Sequence, residues 1–489
     1  MPAPTSKSAV AMNPPPAPRV LGHRAFTAQD QRFFAAASRD HNPMHVDPVA
    51  ARRLLSGRQV VHGIHTLLCL LDLHAARGGP RPAVIDCSFA NPVSVGDEVL
   101  FAETEAADGR RALLATVDGV TCTEVRFDVA VAAPAPPAAT TVPRRIDPTQ
   151  PLDEAPEAQA GQSIAFDDWP VPLADAFPHA TRLLGEARVA AIARLSTFVG
   201  MVCPGLHSVF STVQIRLDAE APVAGSLRFQ VQRYDPRFRL FVVAFDGCIA
   251  GELRAFRRPP PQPQASSREL AGVVAADEFA GTHSLVVGGS RGLGELTAKL
   301  LAAGGGAVSV SYAVGADDAA RLCEEINAAG RGRSQALRLD LQAEPFEPPA
   351  AAPGQLDAVF YFATPRIFKK KAEVFDRAAF DSFTAFYLQR FHDLCRWLDA
   401  GASGRRITVY LPSTVFITER PKGMTEYAMA KAAAEVLADD LNRTLRSVRI
   451  VHTRLPRLAT DQTASIQGLG TASNVETVLG AVRAVMARG

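Results

Sequence analysis

The sequence predicts a multidomain chain. Two α+β repeats, each an antiparallel sheet wrapped around a long apolar helix, precede an α/β doubly wound parallel sheet. Three observations predict it. Residues 20–131 and 163–256 each run from an apolar helical segment into alternating strand-like segments. Residues 283–305 read as apolar strand, glycine-rich turn and amphipathic helix, with further strand and helix patterns beyond. The stretches 132–162 and 257–269 are Pro-rich and lack either regular period.

At 489 residues the chain is too long for one core. A formal net charge of +2 gives no nucleic-acid footprint. No apolar run reaches the roughly 20 residues needed to cross a bilayer. The seven cysteines are scattered, with no CxxC or His-Cys cluster. They read as reduced thiols of a cytoplasmic protein, with no metal site and no disulfide framework.

Residues 1–19 are rich in Pro and Ala, lack the apolar core of a signal peptide, and read as a disordered tail. In the first repeat, GIHTLLCLLDLHAA (63–76) is the helix. AVIDCSFANPVSVGDEVLFAETEA and ALLATVDGVTCTEVRFDVAVA supply the strands. The second repeat has EARVAAIARLSTFVGMV, then HSVFSTVQIRLDAEAPVAGSLRFQVQRYD and FRLFVVAFDGCIAGELRAFRR. A Pro-Val turn with a nearby glycine recurs (Pro92, Val93, Gly96; Pro222, Val223, Gly225), so the blocks read as a degenerate duplication. The stretches 132–162 and 257–269 read as linkers unable to bury enough apolar surface to order themselves. Residues 270–489 form the third block.

Within SRDHNPMHVD (38–47), Asp40, Asn42 and His45 cluster around Pro43. A polar turn alone would account for them. FFAAASRDHNPMHVDPVAA followed by VVHGIHTLL resembles the MaoC-like (R)-specific enoyl hydratase/dehydratase family, whose fold is the hot-dog. Phe34, Ser38, Asp40, Asn42, Pro43, His45, His62 and Gly63 match its signature. Arg39 stands where the family has glycine, and positive φ costs arginine more than glycine. The first two blocks then form a double hot-dog. The second repeat has no such motif and becomes a built-in partner that shapes the acyl tunnel, leaving one site per chain.

The resemblance implies dehydration of a 3-hydroxyacyl thioester or the reverse hydration. An imidazole and a carboxylate held together divide the two proton transfers or jointly orient a water. His45 titrates near neutrality. The Gly63 N–H, at a helix N-terminus, is a candidate donor to the enolate oxygen. His62 either caps that helix or joins the site. Asn42 orients the loop or the water. His41 and His65 read as structural or rim residues, and His207 as strand packing.

In the third block, Gly288, Gly292 and Gly294 let the backbone approach a pyrophosphate at a helix N-terminus. Tyr427 and Lys431 lie one turn apart on one helix face, and Ser413 ends the preceding strand. This block resembles the short-chain dehydrogenase/reductase family, a Rossmann-type fold. The resemblance implies that Tyr427 protonates a substrate carbonyl, Lys431 lowers the tyrosine pKa and binds the nicotinamide ribose, and Ser413 positions the carbonyl oxygen. It implies a cofactor set of Gly288, Ser290, Arg291, Gly292, Leu293, Gly294, Tyr312, Asp340, Leu341, Ala363, Tyr427 and Lys431. No carboxylate follows the second strand (Ser311, Tyr312, Ala313), and Arg291 could meet a 2′-phosphate, so NADPH is expected. Departures are Tyr361-Phe362-Ala363-Thr364 for Asn-Asn-Ala-Gly, Tyr387 for the relay asparagine, and Pro456-Arg457 for Pro-Gly. Little chain remains for a seventh strand.

Together the resemblances imply a bifunctional enzyme. It would reduce a 3-oxoacyl thioester and dehydrate the (3R)-hydroxyacyl product, with the acyl chain on acyl-carrier protein or coenzyme A, in a homo-oligomer. The alternatives are one working site, or a non-catalytic acyl-binding scaffold. The basic clusters FKKK (368–371) and Arg52-Arg53 read singly as solvated faces, with an acidic carrier or a phosphopantetheine phosphate as the other reading.

Overall fold

The computed structural model describes residues 18–54, 56–105, 110–128, 142–147, 149–166, 171–217, 227–367, 374–461 and 473–487. Two compact units are present. One comprises Met1–Val46 and Gln59–Arg258, the other Asp47–Arg58 and Pro259–Gly489.

The first unit holds strands β1 (Arg19–Ala25), β2 (Val84–Phe89), β3 (Glu98–Glu105), β4 (Arg111–Val117), β5 (Val120–Asp128), β6 (Arg144–Ile146), β7 (Ser163–Phe166), β8 (Ser208–Arg216), β9 (Arg228–Asp235), β10 (Leu240–Asp246) and β11 (Ala250–Arg257). They form one eleven-stranded sheet in the order β1-β3-β4-β5-β2-β8-β11-β10-β9-β7-β6. Read outward from the central β2–β8 pair, β5, β4 and β3 on one side mirror β11, β10 and β9 on the other. The duplication is therefore visible in the topology. The central seam is antiparallel, with Cys87 opposite Val213, and Gln214 Nε2 donates to Asp86 Oδ1 at 2.8 Å.

Helix α1 (Ala28–Ser38) begins with a reciprocal Thr27–Asp30 capping box and ends at Arg39 in the left-handed region, φ 60°. Helix α2 (Gly63–Ala76) has no interior Gly or Pro, and Ile64, Leu67, Leu68 and Leu71 are fully buried in the core. Helix α3 (Glu186–Thr197) is its counterpart, burying Val189, Ile192 and Leu195, and runs on into a π-helical turn over Phe198–Val202.

The expected linkers differ from what is found. Residues 129–141 and 148 lie outside the described residues, as does the Pro222 turn. Past them the stretch 132–162 contains β6, and Leu152 packs on the core. The Leu152 N–H donates to Met201 O at 2.8 Å, and Gln159 Nε2 to Val202 O at 2.8 Å. Paired polar groups and one half-buried leucine order a segment whose composition reads as disordered. The stretch 257–269 is likewise tied down. Gln262 N–H donates to Asp461 Oδ1, and a Ser266–Glu269 capping box starts the helical turn Ser267–Leu270.

The second unit has β12 (His283–Val287), β13 (Ala307–Tyr312), β14 (Arg333–Arg338), β15 (Ala358–Tyr361), β16 (Ile407–Thr414) and β17 (Val448–Leu455), all parallel in the order β14-β13-β12-β15-β16-β17. This is the doubly wound sheet, its strand order reversing between β12 and β15. Helices α4 (Gly292–Ala303), α5 (Ala316–Ala329), α6 (Thr425–Thr444) and α7 (Asn474–Met486) bear on the sites below or cover the sheet. Asp47–Arg58 was not foreseen as part of this unit. The Arg53 guanidinium pairs with buried Asp318 at 2.7 Å while its own side chain stays 40% exposed. All seven cysteines are buried and unbridged.

Leu67→Ala is expected to destabilise the first unit by about 2–5 kcal/mol, read as a shift in the urea midpoint.

Candidate functional sites

In the first unit, the loop after α1 carries Asp40, Asn42 and His45 into the interior, where each is buried. His45 Nδ1 lies 2.6 Å from Val60 O. A carbonyl only accepts, so Nδ1 carries the proton and Nε2 presents a lone pair. The His62 ring stacks on His45 with centroids 3.8 Å apart, and its Nε2 lies 3.1 Å from Asp40 O. Its Nδ1 is 3.0 Å from Gln31 Oε1. His62 stands at the N-cap of α2 but makes no side-chain cap. Of its two sequence readings, the structure places it in the cluster. Ligating atoms of Asp40, His45 and His62 all lie within 4.8 Å of one another. His65 is buried against Phe26 and Phe34, and burial pulls its pKa down to about 3.

The second repeat braces this loop, through residues the sequence reading missed. Ser196 Oγ donates to Asp40 Oδ2 at 2.6 Å, and Thr197 Oγ1 donates to Ser38 O. Asn42 Nδ2 donates to Gly200 O at 2.8 Å and Gly205 O at 3.1 Å. Asn42 therefore holds the loop to the opposite repeat. A Cβ on Gly200 would sit 2.2 Å from Asp40 Oδ1, so only glycine lets the carboxylate seat there. Gly200 lies in the π-helical turn, an irregularity that frequently marks functional sites.

Burial pushes the Asp40 carboxyl above its usual range, against the charge of His45 and the Ser196 hydrogen bond. Burial lowers His45, with Asp40 opposing. At neutral pH these directions favour a neutral imidazole base beside a carboxyl that can hold a proton. Gly63 opens α2, where its N–H has no intrahelical acceptor and can face an oxyanion. Arg39 takes the left-handed conformation that glycine would take freely, and pairs with Asp147 at 3.1 Å.

In the second unit, Gly288 (φ 75°) and Gly292 (φ 59°) turn the chain from β12 into α4. A Cβ on Gly288 would strike the Ala363 main-chain N at 2.8 Å, and one on Gly294 would strike Gly288 O at 2.3 Å. Among the described residues nothing lies within 4 Å of a Cβ on Gly292. Such a tight turn, with an open face at a helix N-terminus, fits a dinucleotide pyrophosphate. Gly288 N–H donates to Ser311 Oγ. Ser290 and Leu293 flank the turn, and Tyr312 ends β13. Asp340 caps its own turn through Gln342 N–H, and Leu341 O accepts from Arg390.

Two expected roles are corrected. Arg291 Nη1 donates to the Arg52 carbonyl and stands 3.9 Å from Asp461, so this guanidinium is already engaged. Tyr427 is not acidified. Burial pushes it up to about 12, against a Thr414 hydrogen bond, and pulls Lys431 down to about 7, against Glu435. Lys431 Nζ donates to Pro412 O at 2.7 Å and lies 3.8 Å from the Tyr387 ring centroid. Tyr387 hydrogen-bonds Thr364. Ser413 Oγ donates at 2.5 Å to Glu435, which also holds Arg454 at 2.7 Å. Glu435 was missed, although it continues the Tyr-x-x-x-Lys face by one turn. The basic stretch 368–371 lies outside the described residues.

Residues 13–126 match the family model described as "MaoC like domain". Over 79 residues, the chain is 33% identical to the mitochondrial 3-hydroxyacyl-[acyl-carrier-protein] dehydratase of Arabidopsis thaliana. That match covers 16% of this chain and 47% of the relative. Solved structures similar to the chain include a 3-oxoacyl (acyl-carrier-protein) reductase from Agrobacterium tumefaciens with NADP bound. It is 19% identical, covers 43% of this chain and 89% of that one, and has a TM-score of 0.36. An NADH-dependent reductase complexed with NAD is 19% identical, covers 42% and 90%, and has a TM-score of 0.35. Among the described residues no helix is long and apolar enough to cross a membrane.

Arg39→Gly is expected to stabilise the fold by about 0.5–1 kcal/mol, measured by urea denaturation. His45 serves as a base only when neutral, and burial lowers its pKa. The acid limb of the kcat/KM pH profile should therefore fall below 6.5, the value of an ordinary imidazole.

Proposed function

We propose that the chain is a bifunctional enzyme that reduces a 3-oxoacyl thioester and removes water from the (3R)-hydroxyacyl product. The observation that carries the reading is the buried convergence of Asp40 and His45, with His45 Nδ1 committed to Val60 O and Nε2 left as the base. The dehydratase name of the Arabidopsis relative supports it.

His45 Nε2 takes the α-proton, and the electron pair moves onto the thioester oxygen beside the Gly63 N–H. Asp40 protonates the hydroxyl as the C3–O bond breaks, releasing water and the enoyl thioester. Proton return from His45 to Asp40 resets the pair.

In the second unit a nicotinamide cofactor, NADPH on this reading, supplies a hydride when bound. Tyr427, protonated at neutral pH, gives its proton to the carbonyl oxygen. Lys431 stands one turn on, where the ribose would lie. Ser413 must turn its hydroxyl from Glu435 to hold the carbonyl. The acyl chain would arrive on acyl-carrier protein or coenzyme A, and the enzyme would work as a cytoplasmic homo-oligomer.

The test is a mass-resolved assay with NADPH and a short 3-oxoacyl thioester. Wild type should yield the enoyl product, Asp40→Asn should stop at the hydroxyacyl species, and Tyr427→Phe should leave the ketone. NADPH consumption with no enoyl product, and no hydration of supplied enoyl thioester, would refute the dehydratase half.

A further inference from the structure

The segment Asp47–Arg58 packs within the second unit beside the glycine turn. Two contacts fix its main chain and neighbouring side chain there. Arg291, inside the turn, donates to the Arg52 carbonyl. Arg53 Nη2 donates at 2.7 Å to Asp318, a buried residue in the first turn of α5 that Arg321 also holds. The Arg52 side chain then lies against Gly315, three residues past β13. A Cβ on Gly315 would stand 2.7 Å from Arg52 Nη1. That Nη1 is shut off from solvent and has no hydrogen-bond partner among the described residues. A guanidinium N–H left this way is costly, and a phosphate oxygen would satisfy it. The place matters. The residues just past the second strand of such a sheet meet the adenosine ribose, and a carboxylate there selects the 2′-hydroxyl. Here the strand ends in Ser311-Tyr312-Ala313. Nearby carboxylates are already engaged, Asp318 by Arg53 and Arg321, and Asp461 by the Gln262 N–H.

We propose that Arg52 is a specificity residue for the cofactor, its guanidinium binding the 2′-phosphate that separates NADPH from NADH. This rests on the reductase reading of the second unit, and moves the phosphate contact from Arg291 to a segment lying far outside the Rossmann-type sequence. Arg291 becomes the residue that positions Arg52 through its carbonyl.

Calorimetric titration of the full chain with NADPH, NADH, 2′,5′-ADP and 5′-AMP tests it. In Arg52→Gln, NADPH and 2′,5′-ADP should weaken on the order of ten- to a hundredfold, while NADH and 5′-AMP stay within about twofold. Gly315→Ala displaces the guanidinium without removing it and should shift the same two ligands in the same direction. It carries the test if Arg52→Gln does not fold. Unchanged NADPH affinity in the folded variants, or equal loss for all four ligands, overturns the assignment. If wild type binds none of the four, the reductase reading falls and the assignment with it. Tight NADPH binding retained in Arg52→Gln removes the assignment alone.

Discussion

The first unit is organised around one carboxylate in a dry interior. Asp40 is buried, and a polar carboxyl there is tolerated only where hydrogen-bond partners meet it. Ser196 supplies the shortest of its hydrogen bonds, from a helix whose sequence lies in the other repeat. That contact requires the two repeats to meet edge to edge, which the β2–β8 seam accomplishes. It requires α3 to approach within a hydrogen bond of the loop, which Gly200 permits by having no Cβ. It also requires the loop to hold its course, which Asn42 secures by donating to the carbonyls of Gly200 and Gly205. Sheet, helix, glycine and loop are thus consequences of placing one acid where water is excluded.

The second unit solves a similar problem with a cation. Lys431 is fully enclosed, and its ammonium is met by a carbonyl and an aromatic face. Tyr387 offers its ring to Lys431 and hydrogen-bonds Thr364 through its hydroxyl. The substituted positions are therefore matched to one another: Thr364 receives what Tyr387 brings. Ser413 is matched in the same way to Glu435 and Arg454.

What the sequence revealed follows from how local each signal is. Asp40, Asn42 and His45 sit within one loop, and Tyr427 and Lys431 on one helical turn, so spacing alone displayed them. The glycine turn was legible because an apolar strand and a helix bracket it. Ser196, Thr197 and Gly200 were not legible. They are ordinary residues of an apolar helix, and Ser196 meets Asp40 across 156 positions of chain. Arg53 reaches Asp318 across 265 positions, so its partner was not legible from spacing. Leu152 was hidden differently, as one core contact inside a Pro-rich composition. The direction of the Tyr427 shift was misread because spacing shows that a lysine is near but not how deeply both groups are enclosed.

The continuous eleven-stranded sheet has a consequence for how the acid site responds to its surroundings. Where two separate chains share such a site, dilution pulls the bracing helix away from the loop. Here the brace is tethered to what it braces, and its effective concentration is set by the connecting chain rather than by the amount of protein in solution. The Asp40 environment is accordingly a property of each molecule by itself, as complete in a single copy as in a crowded solution.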